Sequence, residues 1–366
     1  MPFIIDAHQD LAYNHFVHQR DVLRSAAETR QIEAGTPVPD RTGQTLLGWP
    51  DYQRGQVAVV FSTLFVAPRR YAGAWESEFA FATQAESYRQ MRNQLDYYLR
   101  LCDQHPDKFR LVTGQKSLAA VLQPWEHTPA SYPHTTHPVG MVVLMEGAEG
   151  VRDAGELEEW WQAGVRIIGP VWAGTRLCGG TIEPGPFSTE GLEMLSAMAG
   201  LGFILDISHM SDESALTALD RYEGPIIASH ANARALHKDT QNQRHLTDVA
   251  MRRLFERGGV MGVIPYNRFI NLQWTLEDGR HTLTLDHLIA HIDHACQIAG
   301  DARHVALGTD FDGGYGWPAV PEELDTIADM QKLAPRLLAR GYQPEDVAAI
   351  LGGNWRRVLE QHLPIQ

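Results

Sequence analysis

Eight short apolar runs recur along the 366 residues, separated by helical or loop stretches, and this alternation restricts the chain to few folds. The runs are Phe3–Ala7, Val57–Phe65, Val139–Met145, Val165–Ile168, Phe203–Ile207, Ile226–Ser229, Val260–Ile264 and Val305–Gly308. They are rich in Val, Ile, Leu and Phe and mostly bounded by Gly, Pro or Asp, as strands buried on both faces are. Such strands pair in parallel and need crossover helices between them. Helices are predicted over Ala74–Gln104, where Tyr88, Met91, Leu95, Leu99 and Cys102 recur at three-to-four spacing, and over Thr247–Arg257, Thr284–Ala299 and Pro344–Leu351. Eight β/α units at this length predict an α/β fold. The expectation is a single (β/α)8 TIM-type barrel over residues 1–366, with elaborated loops and C-terminal helices from about residue 321. The segment Leu11–Pro50 is too long for a plain connection, and its polar Gln19–Glu33 stretch predicts a helix over the barrel mouth.

Composition narrows the partners. Lys and Arg number 31 against 45 Asp and Glu, so the net charge of −14 repels phosphate backbones and anionic lipid. Neither a nucleic-acid nor a membrane partner is expected, and no apolar run approaches the ~18 residues a bilayer span needs. Cys102, Cys178 and Cys296 are scattered, with no CxxC spacing, which argues against a disulfide framework or a thiolate metal site. With no signal-peptide pattern at the N-terminus, a reducing, cytoplasmic location is expected. The low charge density of Pro318–Pro335 marks a candidate contact surface for a homo-oligomer. The 17 histidines are the compositional oddity, since imidazole is the commonest metal ligand.

Several histidines and carboxylates stand where strands end. The first strand leads into Asp6-Ala7-His8-Gln9-Asp10, where a period of two sends His8 and Asp10 to one side. The third ends at Glu146, a carboxylate after an apolar run that is costly to bury without a positive partner. The fifth and sixth end in Ser208-His209 and Ser229-His230, and the eighth in Gly308-Thr309-Asp310-Phe311-Asp312-Gly313. In an α/β barrel the C-terminal strand ends build the site, and imidazoles with carboxylates there suit a divalent metal such as Zn²⁺.

In order and position these motifs, His8-Gln9-Asp10, Glu146-Gly147, Ser208-His209, Ser229-His230 and Gly308 to Gly313, resemble those of the membrane (renal) dipeptidase family. That family comprises zinc dipeptidases of the amidohydrolase superfamily, and the resemblance runs from residue 3 to about residue 316. It implies two Zn²⁺ ions, one on His8 and Asp10, the other on His209 and His230, bridged by Glu146. A hydroxide between the metals would attack the substrate, and Asp310 would move the proton to the leaving amine. Arg244, in Gln243-Arg244-His245-Leu246, would bind the carboxylate of a dipeptide, with Arg234 competing for the role.

Two positions depart from the family pattern. Trp172 stands after the fourth strand where animal members have a His near the substrate carbonyl, and an indole donates one hydrogen bond but carries no charge. Glu149 replaces a His in the segment after Glu146, as a specificity element or a solvated turn. Elsewhere His287, His291 and His294 are read as a solvated helix face, His134 and His137 as surface residues, and Cys178 as a possible pocket residue with nothing to activate it. The resemblance implies a dipeptidase acting on small dipeptides, including those with a C-terminal D-residue. Hydrolysis of N-acyl amino acids, lactams or esters is the alternative, and a metal-binding module without catalysis is a third reading.

Overall fold

The computed structural model describes residues 2–127, 136–238 and 241–365. Its strands are β1 (Ile4–Gln9), β2 (Val57–Phe65), β3 (Phe109–Leu111), β4 (Val139–Glu146), β5 (Val165–Gly169), β6 (Ile204–Asp206), β7 (Ile226–Ile227), β8 (Met261–Val263) and β9 (Val305–Leu307). Eight of them pair in parallel in the order β7-β6-β5-β4-β2-β1-β9-β8, and β3 pairs with β4 off this path. Every residue of those eight strands is buried. Side chains from the barrel interior cover one face and crossover helices the other, so the sequence shows near-continuous apolar runs instead of alternation.

The ring closes between β7 and β8 through one isolated parallel bridge, Ala228 with Met261. Beyond it Ala231 N donates to Gly262 O at 2.7 Å. The buried Asn232 side chain then takes over the pairing. Its Nδ2 donates to Ile264 O at 3.0 Å and to Phe269 O at 3.1 Å, while its Oδ1 accepts from Ile264 N at 3.0 Å. The result is the nearly closed eight-stranded barrel expected from the sequence. Its C-terminal elements fasten the opposite end. Asn354 Nδ2 donates to Ala302 O and Val305 O at the start of β9, and the Trp355 indole donates to Leu307 O at 2.8 Å.

Three predicted elements need correction. Ala74–Gln104 is not one helix: a 3₁₀ turn, Ala74–Glu76, precedes a helix that starts only at Gln84. Thr83 sets that start, because its hydroxyl accepts from Glu86 N while the Glu86 carboxylate accepts from Thr83 N, a capping box. Nor does one helix cover Gln19–Glu33. Helix Leu11–His18 follows β1 directly and ends at Gln19, in the left-handed region at φ 59°, before helix Ala26–Glu33 begins. The first of these helices reaches the barrel mouth, through Tyr13 and His18, whereas Ala26–Glu33 contributes nothing to the cavity there. Finally, Pro318–Pro335 is no free apolar surface, because Val320, Leu324, Ile327, Met330 and Leu333 are all buried. Among the described residues no helix is long and apolar enough to cross a membrane, and the three cysteines are unpaired.

Arg20 ties this entry segment to the barrel. Its guanidinium bonds Glu33 Oε1 at 2.7 Å, Gly43 O at 2.7 Å and Asn14 Oδ1 at 3.1 Å, and lies 3.6 Å from Asp312 Oδ2. All of these side chains are buried. Removing one partner of a buried ionic set leaves the others uncompensated, so Arg20→Met should lower stability by about 3 kcal/mol. The denaturant midpoint measures this, and an unchanged midpoint would show that the cluster is solvated and weak.

Candidate active site

Five strands, β1, β4, β6, β7 and β9, bring ionisable side chains together at their C-terminal ends. Glu146, the last residue of β4, lies in the middle. Its Oε2 faces His8 Nε2 at 3.6 Å, while its Oε1 faces His209 Nε2 at 3.0 Å and His230 Nε2 at 3.3 Å. His8 Nε2 also lies 3.9 Å from Asp10 Oδ1 and 3.8 Å from Asp310 Oδ1. Ligand atoms around a tetrahedral ion at about 2.0–2.2 Å stand about 3.3–3.6 Å apart, and the spacings here, from 3.0 to 3.9 Å, bracket that range, so these atoms are close enough to share metal ions. Three sets have ligand atoms within 4.8 Å of one another: His8, Asp10 and Glu146; Glu146, His209 and His230; His8, His230 and Asp310. Glu146 belongs to two of them and offers one oxygen to each side.

The chemistry of this donor set suits divalent cations. Both ring nitrogens of His8 and Oε1 of Glu146 are buried without a hydrogen-bond partner. Three buried carboxylates, Asp10, Glu146 and Asp310, face a single buried guanidinium, Arg244, so negative charge is in excess. The proton affinities register that excess. Burial would push His8 down, but Glu146, Asp10 and Asp310 outweigh it and hold the imidazole at about 10. Asp310 is raised well above the carboxylate range by burial and then by Asp10 and Glu146. His209 is driven down to about 4 by burial and Arg244, leaving a neutral imidazole.

A second layer of residues, unread in the sequence, orients the first. Asp206 accepts from Ser208 N at 3.0 Å and Ser229 N at 2.9 Å, and also accepts a hydrogen bond from the Ser229 hydroxyl. Ser229 Oγ is thereby left to accept from His230 Nδ1, 2.7 Å away, which puts the proton on Nδ1 and turns the Nε2 lone pair toward Glu146 and His209. The Ser of each Ser-His pair was the available signal, since Ser208 Oγ likewise accepts from His230 N at 3.1 Å. On the other side Asp6 accepts from Thr309 N at 2.7 Å and Thr309 Oγ1 at 2.6 Å, fixing the chain just before Asp310, and the Thr63 hydroxyl donates to Asp10 Oδ1. His209 and Asp310 have φ of 64° and 55°, a left-handed backbone that non-glycine residues adopt at a cost. Glycine is required beside them. A Cβ at Gly313 would lie 2.0 Å from Asp310 Oδ1, and one at Gly308 1.8 Å from Ser229 O.

Above these donors opens a cavity of about 570 Å³ lined by Asp10, Glu146, Trp172, His209, Arg244 and Asp310 among others, with His8 and His230 buried beneath. Arg244 is 5% exposed. Its Nη1 donates to His230 O at 3.0 Å, Nε and Nη2 have no hydrogen-bond partner, and the guanidinium lies 4.9 Å from the Phe269 ring. Arg234 does not compete with it, because Asp212 holds its guanidinium through two bonds of 2.6 Å. Trp172 stands edge-on to Phe65 at 5.3 Å and lies 6.2 Å from the His209 ring. Glu149 is neither a pocket anion nor a solvated turn, since Arg176 binds it at 3.0 Å. Cys178 is buried in the core, away from the cavity, its thiol pushed up to about 12 by burial.

Residues 2–364 match the family described as membrane dipeptidase, peptidase family M19. The chain belongs to the membrane dipeptidase family. It is 26% identical over 368 residues to an uncharacterized dipeptidase of Schizosaccharomyces pombe, a match covering 97% of this chain and 79% of that one. Its fold superposes on a crystallised metallopeptidase of the same family, dipeptidase AC, with a TM-score of 0.78 at 20% identity over 99% of each chain. A metallopeptidase from Rhodobacter sphaeroides, solved with a phosphinate mimic of the dipeptide L-Ala-D-Ala, gives 0.75 at 19% identity, again over 99% of each chain. Membership of the membrane dipeptidase family makes the chain a metal-dependent hydrolase of the dipeptidase type.

Two histidines outside the centre, His137 and His291, depart from the solvated placement expected of them. His137 is buried, its ring edge-on to Trp125 at 5.2 Å, while His134 lies outside the described residues. On helix Leu285–Ala299, His287 is exposed and His294 pairs with Asp248 at 2.8 Å, but His291 is buried. The helix is covered on two sides, by the barrel and by the segment that carries Arg244. His291 Nδ1 accepts from Ala233 N at 3.3 Å and its Nε2 faces Ile270 O at 3.4 Å, beside His237, which stacks on His245 at 4.5 Å. Burial and then His237 lower His291 to about 3. Since the unfolded chain takes up this proton near pH 6.5 and the folded chain only near 3, stability should fall as pH drops through that window. In the metal-free protein His291→Gln should therefore flatten the acid limb of denaturant midpoint against pH. Equal slopes for the two proteins would mean His291 is protonated in the fold.

Proposed function

We propose that the enzyme is a dipeptidase that holds two Zn²⁺ ions, one on His8 and Asp10, the other on His209 and His230, with Glu146 between them. One observation carries the reading: Arg244 presents Nε and Nη2, buried and without protein partners, beside Asp310 at the same cavity as the metal-ligand set. A planar fork with free donors in a desolvated pocket suits a carboxylate, and a dipeptide's terminal carboxylate lies one residue from its scissile carbonyl. The ions would lower the pKa of a water shared between them and polarise that carbonyl.

The chain's own groups do the rest. Arg244 anchors the carboxylate and so sets the carbonyl over Glu146 and the three histidines. Asp310, outside the set that holds the metals, accepts the proton of the attacking water and returns it to the leaving amine. Its strongly raised proton affinity suits the donor half of that cycle. The phosphinate mimic in the Rhodobacter sphaeroides relative has a D-residue at its C-terminal side, which supports acceptance of such dipeptides here. A second reading, hydrolysis of N-acyl amino acids, lactams or esters, is favoured by Trp172 alone, which places an uncharged ring where the family pattern has a histidine.

Protein purified without chelator should bind about two equivalents of zinc, and Asp310→Asn should keep them while turnover of a dipeptide falls by ~10²–10⁴-fold. Metal analysis and steady-state kinetics on one preparation check both. Undiminished turnover in the Asn variant removes Asp310 from the mechanism. Replacing Arg244 with Met should weaken kcat/KM for free dipeptides by about 2–4 kcal/mol and leave C-terminally amidated analogues little changed. An equal loss on both substrates would make Arg244 a support of its loop, and equal wild-type activity on both would favour the second reading.

A further inference from the structure

Two aromatic networks line the cavity, and no ring contact joins them among the described residues. One surrounds Arg244: Tyr266 stacks on Tyr315 at 4.1 Å and packs against Phe269 at 4.9 Å. The other starts beside His209 and runs outward, from Trp172 to Phe65 at 5.3 Å and Tyr71 at 6.2 Å, and from Phe65 to Tyr13 at 5.4 Å. Tyr13, Phe65 and Ala67 form a small apolar cluster separate from the main core, with Trp172 packed against it.

Its outer edge is more unusual. Tyr71 is 38% exposed, Trp75 36% and Ile182 50%, and all three line this one cavity. Large apolar side chains left partly facing water around one cavity mouth mark a surface that a ligand covers. The carboxylate nearest the Trp75 turn is already engaged. Glu76 accepts from Gly73 N at 2.6 Å and from the Tyr13 hydroxyl, so its carboxylate fastens the Trp75 turn to helix Leu11–His18. Arg41, exposed above the Trp75 ring at 5.4 Å, puts a positive charge at the entrance.

We propose that the wall formed by Tyr13, Phe65, Tyr71, Trp75 and Trp172 receives the side chain of the substrate's N-terminal residue and selects a large apolar or aromatic one. The inference rests on the dipeptidase reading, in which Arg244 takes the opposite, carboxylate end. The scissile carbonyl then lies over the metal ligands, and the N-terminal residue extends past His209 toward Trp172. Trp172 thus acts as a stacking surface for that residue. Aromatic side chains gain edge-to-face contacts with this wall beyond their burial, short side chains leave Tyr71 and Trp75 wet, and cationic ones meet Arg41.

The test uses the zinc-loaded enzyme and the series Phe-Gly, Leu-Gly, Ala-Gly and Lys-Gly. The kcat/KM for Phe-Gly and Leu-Gly should exceed that for Ala-Gly by roughly tenfold or more, with Lys-Gly lowest. In Tyr71→Ala/Trp75→Ala, with folding checked by circular dichroism, the Phe-Gly to Ala-Gly ratio should collapse toward one. Hydrolysis of all four at similar rates, a preference for Lys-Gly, or an unchanged ratio in the double variant would overturn the inference while leaving the dipeptidase reading intact. Hydrolysis of none would retire the dipeptidase reading itself. Calorimetry with phosphinate dipeptide mimics bearing an N-terminal benzyl or methyl side chain then decides about the wall without turnover: tighter binding of the benzyl compound supports it, and equal binding overturns it.

Discussion

An excess of buried negative charge around Glu146 is the constraint on which the upper half of the barrel depends. Asp10, Glu146 and Asp310 all come within 3.9 Å of a single imidazole nitrogen, that of His8. Carboxylates so placed repel one another and lose hydration, so each must be held from behind. Thr63 restrains Asp10, and Asp6 grips Thr309 ahead of Asp310. Asp312 is pinned by Leu46 N at 2.8 Å and the Thr45 hydroxyl. Much of the polar inventory of the core therefore serves to keep acidic groups close together.

The fold was largely legible in the sequence because parallel strands covered on both faces must be apolar throughout, and eight such runs leave few topologies. What misled was local. The apolar spacing from Tyr88 to Cys102 is genuine helix, but it says nothing about where the helix starts, which the Thr83 and Glu86 side chains decide. Likewise the polar content of Gln19–Glu33 suggested one helix, while the backbone turns at Gln19 so that Arg20 can reach Glu33.

The candidate metal ligands and Asp310 were legible as positions at strand ends, and the structure places them in or just beneath one cavity. Their support was not, because it is made by pairs distant in sequence: Asp206 and Ser229 are 23 residues apart, and Asp6 and Thr309 are separated by 303. Arg244 was favoured by its motif, with Arg234 left in competition. The pairing of Arg234 with Asp212 and the unpartnered donors of Arg244 at the cavity separate them. His291 was misread because a helix wheel assumes one buried face, and this helix has two covered sides. Trp172 is the one site position where the family pattern and this chain part, and it belongs to an aromatic cluster that no single motif announces.

Asn232 carries a consequence for how the barrel ages. Where the peptide hydrogen bonds between the β7 and β8 segments run out, this one amide imitates a peptide, donating to Ile264 O and Phe269 O and accepting from Ile264 N. Backbone amides are chemically durable, whereas an asparagine can lose its nitrogen to hydrolysis. The aspartate left behind would keep the acceptor and set a second oxygen against two carbonyls, so a change of one atom would turn the clasp of the ring into a point of repulsion. The seam that backbone bonds at Ala228 and Ala231 begin is thus extended toward the active-site end by a single side chain, two residues beyond His230, whose covalent integrity that extension requires.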